Sequence, residues 1–183
     1  VTKGGNSNAV AEFAVTLILA ASKGIGSSSY YAKNGIWKKF SGLDLERKTL
    51  GVIGLGAIGK TVVKRLQGFD LNILAYDVYY DDEFVQKYNI KASIDEIVKN
   101  ADVITLHAPA IDNKPLIGKA EFEKMKKGMV LINTARASLI DYDQLIKSLD
   151  NKTVFAAGLD VHENEPEYDN RLKKYDNVIL TPH

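Results

Sequence analysis

Cysteine is absent from the 183 residues, which removes disulfides, thiolate nucleophiles and thiolate metal ligands together and suits a reducing, cytoplasmic location. Long apolar runs are missing as well. The most hydrophobic stretch, Ala9–Ala21, has 13 residues and contains Glu12 and Thr16, short of the roughly 20 that span a bilayer. It reads as a buried or interface helix. Neither sign of charge is in excess: 24 basic and 23 acidic side chains leave a formal charge of +1, so no field draws nucleic acid or an anionic membrane. A basic leader with a small-residue cleavage site is also lacking. The chain begins at Val1 without a methionine and ends on Thr181-Pro182-His183 just after an apolar run, the pattern expected of a fragment. What is present is a 45% share of hydrophobic residues, enough to bury the core of one domain.

Asn6, Ser7 and Asn8 offer capping oxygens for a helix running to about Ser22. A Gly/Ser/Tyr-rich connection is expected from Gly24 to about Tyr31, followed by the lone Trp37. From Lys48 onward strands and helices alternate. Strands are predicted at Thr49–Gly54, Leu71–Tyr76, Val103–Leu106, Met129–Ile132, Val154–Ala157 and Val178–Leu180. Helices are predicted at Ile58–Leu66, Asp81–Tyr88, from the Ser93/Glu96 capping box to Lys99, at Lys119–Met125 and from Asp141 to Leu149. That alternation implies βαβ units and a doubly wound α/β domain, a parallel sheet with helices on both faces.

Gly54-Leu-Gly56-Ala-Ile-Gly59 directly follows the first apolar strand of this region and opens a helix. In that setting a G-x-G-x-x-G motif is the fingerprint of a dinucleotide site. Gly54 permits the sharp turn, Gly56 lets the backbone approach a pyrophosphate, and Gly59 lets the helix pack closely on the sheet. Ala57 and Ile58 would turn helix N-terminal N–H groups toward the phosphates. Asp77 ends the next strand, 18 residues after Gly59, near the ~20 expected of an acid that holds the ribose hydroxyls. Val78, Tyr79, Tyr80, Asp81 and Asp82 follow it. None is basic, so the reading is NAD rather than NADP.

Three further stretches, Leu131-Ile-Asn-Thr-Ala-Arg-Ala-Ser-Leu-Ile-Asp141, Gly158-Leu-Asp-Val-His-Glu-Asn-Glu-Pro166 and Asn177-Val-Ile-Leu-Thr-Pro-His183, make the chain resemble the D-isomer-specific 2-hydroxyacid dehydrogenases. The resemblance runs from about Asn6 to His183. It implies a nucleotide-binding domain whose partner domain is built from segments before residue 1 and after residue 183. It also implies hydride transfer between NAD(H) and a small 2-hydroxy or 2-oxo acid. Arg136 would grip the substrate carboxylate and carbonyl, a task suited to a planar fork. His183 would be the general acid/base and Glu165 the carboxylate that orients it. Glu163 and Glu167 compete for that role in composition, and only the resemblance selects Glu165, the residue before Pro166. Asp160 would lie near the nicotinamide carboxamide, with Thr134, Ala135 and the His107-Ala108-Pro109 turn along the ribose and nicotinamide. The family also implies a homodimer through this domain, with Ala9–Ala21 and the segment around Trp37 as interface; packing of that helix on its own sheet is the alternative.

The sequence departs from the family pattern at Ala137, where glycine commonly follows the arginine, and at Ile111 and Lys114, where threonines are common. No metal is expected, since His162 has no second imidazole at ligand spacing. Absence of a long insertion between Pro166 and His183 favours a glyoxylate- or phosphoglycerate-like enzyme. A non-catalytic NAD sensor on the same fold is a rival, because fold alone does not determine function. A methyltransferase is another, although it has no use for the third glycine or for the Arg136, Glu165 and His183 set.

Overall fold

A computed structural model describes residues 5–112 and 114–183. Six strands occur among them: β1 (Thr49–Ile53), β2 (Asn72–Tyr76), β3 (Val103–Leu106), β4 (Met129–Asn133), β5 (Val154–Leu159) and β6 (Val178–Leu180). They pair in the order β2-β1-β3-β4-β5-β6, and every neighbouring pair is parallel. Side chains alternate across the sheet, as the two-residue period of a strand requires. Leu50, Val52, Val103, Val130 and Ile132 enter one core, while Ile53, Ile104, Leu106, Leu131 and Leu159 enter the other. Burial on both faces explains why these strands read as continuous apolar runs.

The first core is covered by α1 (Ser7–Lys23), α3 (Ala57–Arg65) and α4 (Asp82–Tyr88); the second by α5 (Ile94–Asn100), α6 (Lys119–Lys124) and α7 (Tyr142–Asp150). The doubly wound arrangement therefore follows the expected order of elements. α5 starts at the anticipated capping box: the Glu96 N–H donates to Ser93 Oγ at 3.1 Å and the Ser93 N–H to Glu96 Oε2 at 2.7 Å. α7 starts at Asp141, which accepts the Gln144 N–H at 3.1 Å. β5 runs two residues further than predicted and delivers Asp160 at its end.

Two expectations at the N-terminal end need correction. Asn6 occupies the N-cap of α1, but its side chain makes no capping bond. The stretch expected to be an irregular connection is instead a second helix, α2 (Ile25–Lys33). Gly24, with φ +62, closes α1 and turns the chain directly into α2. Tertiary contacts then hold a serine-rich segment that propensity alone would leave irregular. The Tyr31 hydroxyl donates to Asp176 Oδ2 at 2.6 Å, and its ring stacks on Phe40. α1 itself buries Ala11, Ala14, Leu17, Ile18 and Ala21 in the core beneath it. No single described helix is long and apolar enough to cross a membrane.

β1 connects to β2 on one side, and the chain then returns to place β3 on the other. This reversal opens a crevice at the carboxyl ends of β1 and β3, where ligands of open α/β sheets bind.

Candidate functional site

β1 runs straight into the glycine motif. Gly54 adopts φ +101, and a Cβ there would stand 2.5 Å from Ala108 N and from His107 C. Only glycine lets the turn after β1 pass so near the turn after β3. A Cβ on Gly59 would reach 1.9 Å from the Gly54 carbonyl oxygen, so α3 packs against the turn that precedes it. Gly56 differs: a Cβ on it would meet nothing within 4 Å among the described residues. It opens onto free space at the start of α3, whose N-terminus no side chain among the described residues caps. The N–H groups of its first turn thus have no intrahelical acceptors. Asp77 lies beside this turn; one carboxylate oxygen accepts the Leu55 N–H at 2.6 Å and the other accepts the Tyr79 N–H at 3.1 Å.

A cleft of about 1090 Å³ continues from Ile58 across the carboxyl edge of the sheet. Its walls include His107, Ala108 and Pro109 after β3, Thr134, Ala135 and Arg136 after β4, Asp160 after β5, and His183 after β6. Four successive strand ends thus bring together residues that span much of the sequence. Gly54, Gly56, Ala57, Gly59 and Asp77 flank the cleft at the glycine turn and are not part of its lining. Asn6 and the α1 residues Ala9, Val10 and Phe13 form a wall that sequence reasoning did not assign.

The arginine loop is shaped by Asn133, a fully buried residue also missed from the sequence. Its Oδ1 accepts the Ala135 N–H at 3.0 Å, and its Nδ2 donates to the Arg136 carbonyl at 2.8 Å. A lone polar residue ending the all-apolar run Met129–Ile132 was the signal available. Arg136 is exposed, and its Nη1 donates to the Ala135 carbonyl at 2.6 Å. Ala137, at the position of the family's glycine, has a buried methyl and no positive φ, so this loop does not demand glycine.

His183 Nδ1 lies 2.9 Å and 2.8 Å from the two carboxylate oxygens of Glu165. A carboxylate can only accept, so the ring carries its proton on Nδ1 and leaves Nε2 as the exchangeable position. The Glu165 carboxyl is held below the usual range first by this bond and then by the His162 N–H. Glu163 instead borders a separate hollow of about 440 Å³ beside Arg171. Asp160 is fixed by the Thr181 hydroxyl, which donates to Oδ1 at 2.6 Å.

These residues fit a dinucleotide. Gly56 leaves the space that a pyrophosphate would occupy against uncapped helix N–H groups, and Thr134 Oγ1 is a buried hydroxyl with no partner among the described residues, on a cleft wall. Ala57 and Ile58 would meet the phosphates, Asp77 the ribose hydroxyls, and the His107-to-Pro109 turn, Thr134, Ala135 and Asp160 the nicotinamide side. No group of three or more His, Asp or Glu side chains among the described residues is placed to hold a metal ion.

Comparison with known proteins identifies the family of the chain. Residues 15–183 match the family described as D-isomer specific 2-hydroxyacid dehydrogenase, NAD binding domain. The chain is 43% identical to a D-3-phosphoglycerate dehydrogenase of Archaeoglobus fulgidus, over 98% of the chain and 35% of that protein. It is 35% identical to a glyoxylate reductase of Pyrococcus horikoshii, over 97% of the chain and 56% of that protein. The crystal structure of a glyoxylate reductase from Paecilomyes thermophila superposes with a TM-score of 0.90 at 34% identity, covering 97% of this chain and 55% of that one. The chain thus spans between about a third and just over half of the length of these relatives.

His107 gives this site a pH signature. Its ring retains some exposure in the cleft, accepts or donates a 2.9 Å bond with Thr105 Oγ1, and is otherwise surrounded by protein. Desolvation pushes its pKa from 6.5 down to about 4. The folded chain therefore keeps this ring neutral where an unfolded chain would protonate it. The stability it contributes is complete above about pH 6.5 and is lost as pH falls toward 4. Over that interval the parent protein is expected to lose up to about 3 kcal/mol more stability than His107→Gln. Urea unfolding at a series of pH values measures this, and identical pH slopes would contradict it.

Proposed function

Since this chain belongs to the D-isomer specific 2-hydroxyacid dehydrogenase family, we propose that its cleft serves hydride transfer between NAD(H) and a small D-2-hydroxy or 2-oxo acid. The observation that carries the reading is the His183–Glu165 pair, whose histidine lines one cleft with Arg136 and the turn after β3. NADH, when bound, supplies the hydride to the carbonyl carbon. Arg136 turns its guanidinium from the Ala135 carbonyl to the substrate, holding the carboxylate and polarising the carbonyl. As the carbonyl electrons move onto oxygen, His183 Nε2 delivers the proton. Glu165 stabilises the cationic ring before that transfer and preserves the Nδ1–H tautomer after it. Oxidation runs these steps in reverse, with neutral His183 as base.

Phosphoglycerate and glyoxylate, named in the relatives, are the substrate types this reading favours. The relatives are longer than this chain, and we assign substrate selectivity and cleft closure to the remainder of such an enzyme. The absence of cysteine supports a cytoplasmic location. A homodimer is supported by the apolar surface of α2 and the following segment, where Tyr30 and Ile36 are exposed and Trp37 is 93% exposed.

Calorimetric titration is expected to show NADH binding about tenfold or more tighter than NADPH, with the preference lost in Asp77→Ala. Equal affinities in the parent chain would overturn the cofactor assignment. In the whole enzyme, Arg136→Gln and His183→Asn are each expected to lower turnover by about a hundredfold or more while NADH affinity changes little. Full turnover in His183→Asn would overturn the acid/base assignment, and no turnover of any 2-oxo acid by the parent enzyme would return the site to a non-catalytic NAD sensor. Sedimentation of Trp37→Ser against the parent tests the dimer; a parent that sediments as a monomer would sink it.

A further inference from the structure

His162 has no part in the reaction proposed above, yet its surroundings connect it to both members of the acid/base pair. It follows β5 and is only 8% exposed. Its main-chain N–H donates to Glu165 Oε1 at 3.0 Å. Its ring Nε2 lies 2.9 Å from the Thr181 carbonyl oxygen. A carbonyl oxygen can only accept, so Nε2 carries a proton, and in the neutral ring Nδ1 is then bare. That Nδ1 is buried and has no partner among the described residues. The Tyr168 ring stands edge-on to the imidazole, with centroids 4.6 Å apart.

The Thr181 carbonyl also accepts the main-chain N–H of His183. Four hydrogen-bonded links therefore close on themselves. The His162 N–H meets Glu165, Glu165 meets the His183 ring, the His183 N–H meets Thr181, and Thr181 meets the His162 ring. Glu165 stands on the loop after β5 and His183 on the segment after β6, so no single element determines their separation. His162 spans both segments. The loop that carries it is itself anchored from below, where the Tyr142 hydroxyl of α7 donates to the Val161 carbonyl at 3.0 Å.

We propose that His162 is a positioning residue that sets the distance and angle between Glu165 and His183 by joining their two segments through its backbone N–H and its ring Nε2–H. The proposal rests on the reading of Glu165 and His183 as the acid/base pair. Phenylalanine at this position keeps the aromatic contact with Tyr168 and the backbone N–H, and removes only the ring bond to Thr181. Glutamine places an amide N–H close to where Nε2–H lies. The other ionisable groups around the circuit, Asp160, Arg136 and His107 on the cleft walls with Tyr168 and Tyr142 behind the loop, are unchanged in both variants.

Steady-state kinetics of the whole enzyme against pH provides the test. His162→Phe is expected to lower kcat for reduction about tenfold with both KM values within about twofold. The alkaline limb of its kcat profile should move down by about half a unit or more, because a loosened Glu165 stabilises the His183 cation less. His162→Gln should recover most of both effects. An unchanged kcat and limb in His162→Phe would overturn the proposal, as would a Gln variant as impaired as Phe, which would reduce the residue to packing. Long-range proton–nitrogen spectra of the histidines in the parent protein provide a readout independent of variant folding. The neutral Nε2–H tautomer is expected for His162, and the Nδ1–H tautomer would break the circuit. Full turnover in His183→Asn would instead sink the acid/base reading itself, an outcome that no behaviour of the His162 variants imitates.

Discussion

The cleft exists because two strand ends come unusually near each other. The turns after β1 and β3 approach so closely that a single methyl on Gly54 would overlap the His107–Ala108 backbone. That approach is possible only where the strand order reverses, with β1 flanked by β2 on one side and β3 on the other. Gly59 continues the same packing by seating α3 on the Gly54 carbonyl. Interiors packed this tightly transmit a displacement rather than absorb it. The positions of the arginine loop, Asp160 and His183 then follow from the parallel register running outward through β4, β5 and β6.

Three histidines occupy three electrostatic situations within this framework, and the differences come from their partners. His107 is bonded to a neutral hydroxyl in a desolvated setting, which disfavours the cation. His162 is pinned by a carbonyl that demands a proton on Nε2. His183 faces a carboxylate and is half exposed on the cleft wall. A proton donor needs a partner that orients its ring and access to the substrate, so among these three the proposed chemistry falls to His183. Glu165 is kept ionised by two donors from different segments, which lets it serve that ring across the neutral range.

Much of the fold was legible in the chain because both sheet faces are buried. The central strands β1, β3, β4 and β5 had to be largely apolar, and the helices between strands carried their own start signals at Ser93 and Asp141. The α2 segment was not legible. Its glycine and serines favour no helix, and what holds it is contact with Phe40, beyond the helix end, and with Asp176, distant in sequence. Glu165 could be chosen over Glu163 and Glu167 only by resemblance, since three acids in five positions look alike in a string. In space they separate: Glu165 reaches His183, while Glu163 borders the hollow beside Arg171.

Local order therefore came from the sequence by itself: the alternation of strands and helices, the glycine turn and the acid ending β2. Each of these depends on near neighbours or on a residue's own backbone freedom, and such properties survive in a linear string. Which strand lies beside which, the α1 wall of the cleft, the Asn133 clamp on the arginine loop and the circuit through His162 were decided by tertiary structure alone. These are contacts between segments that the chain holds far apart. They form only when burial of both sheet faces compensates the entropy of bringing those segments together.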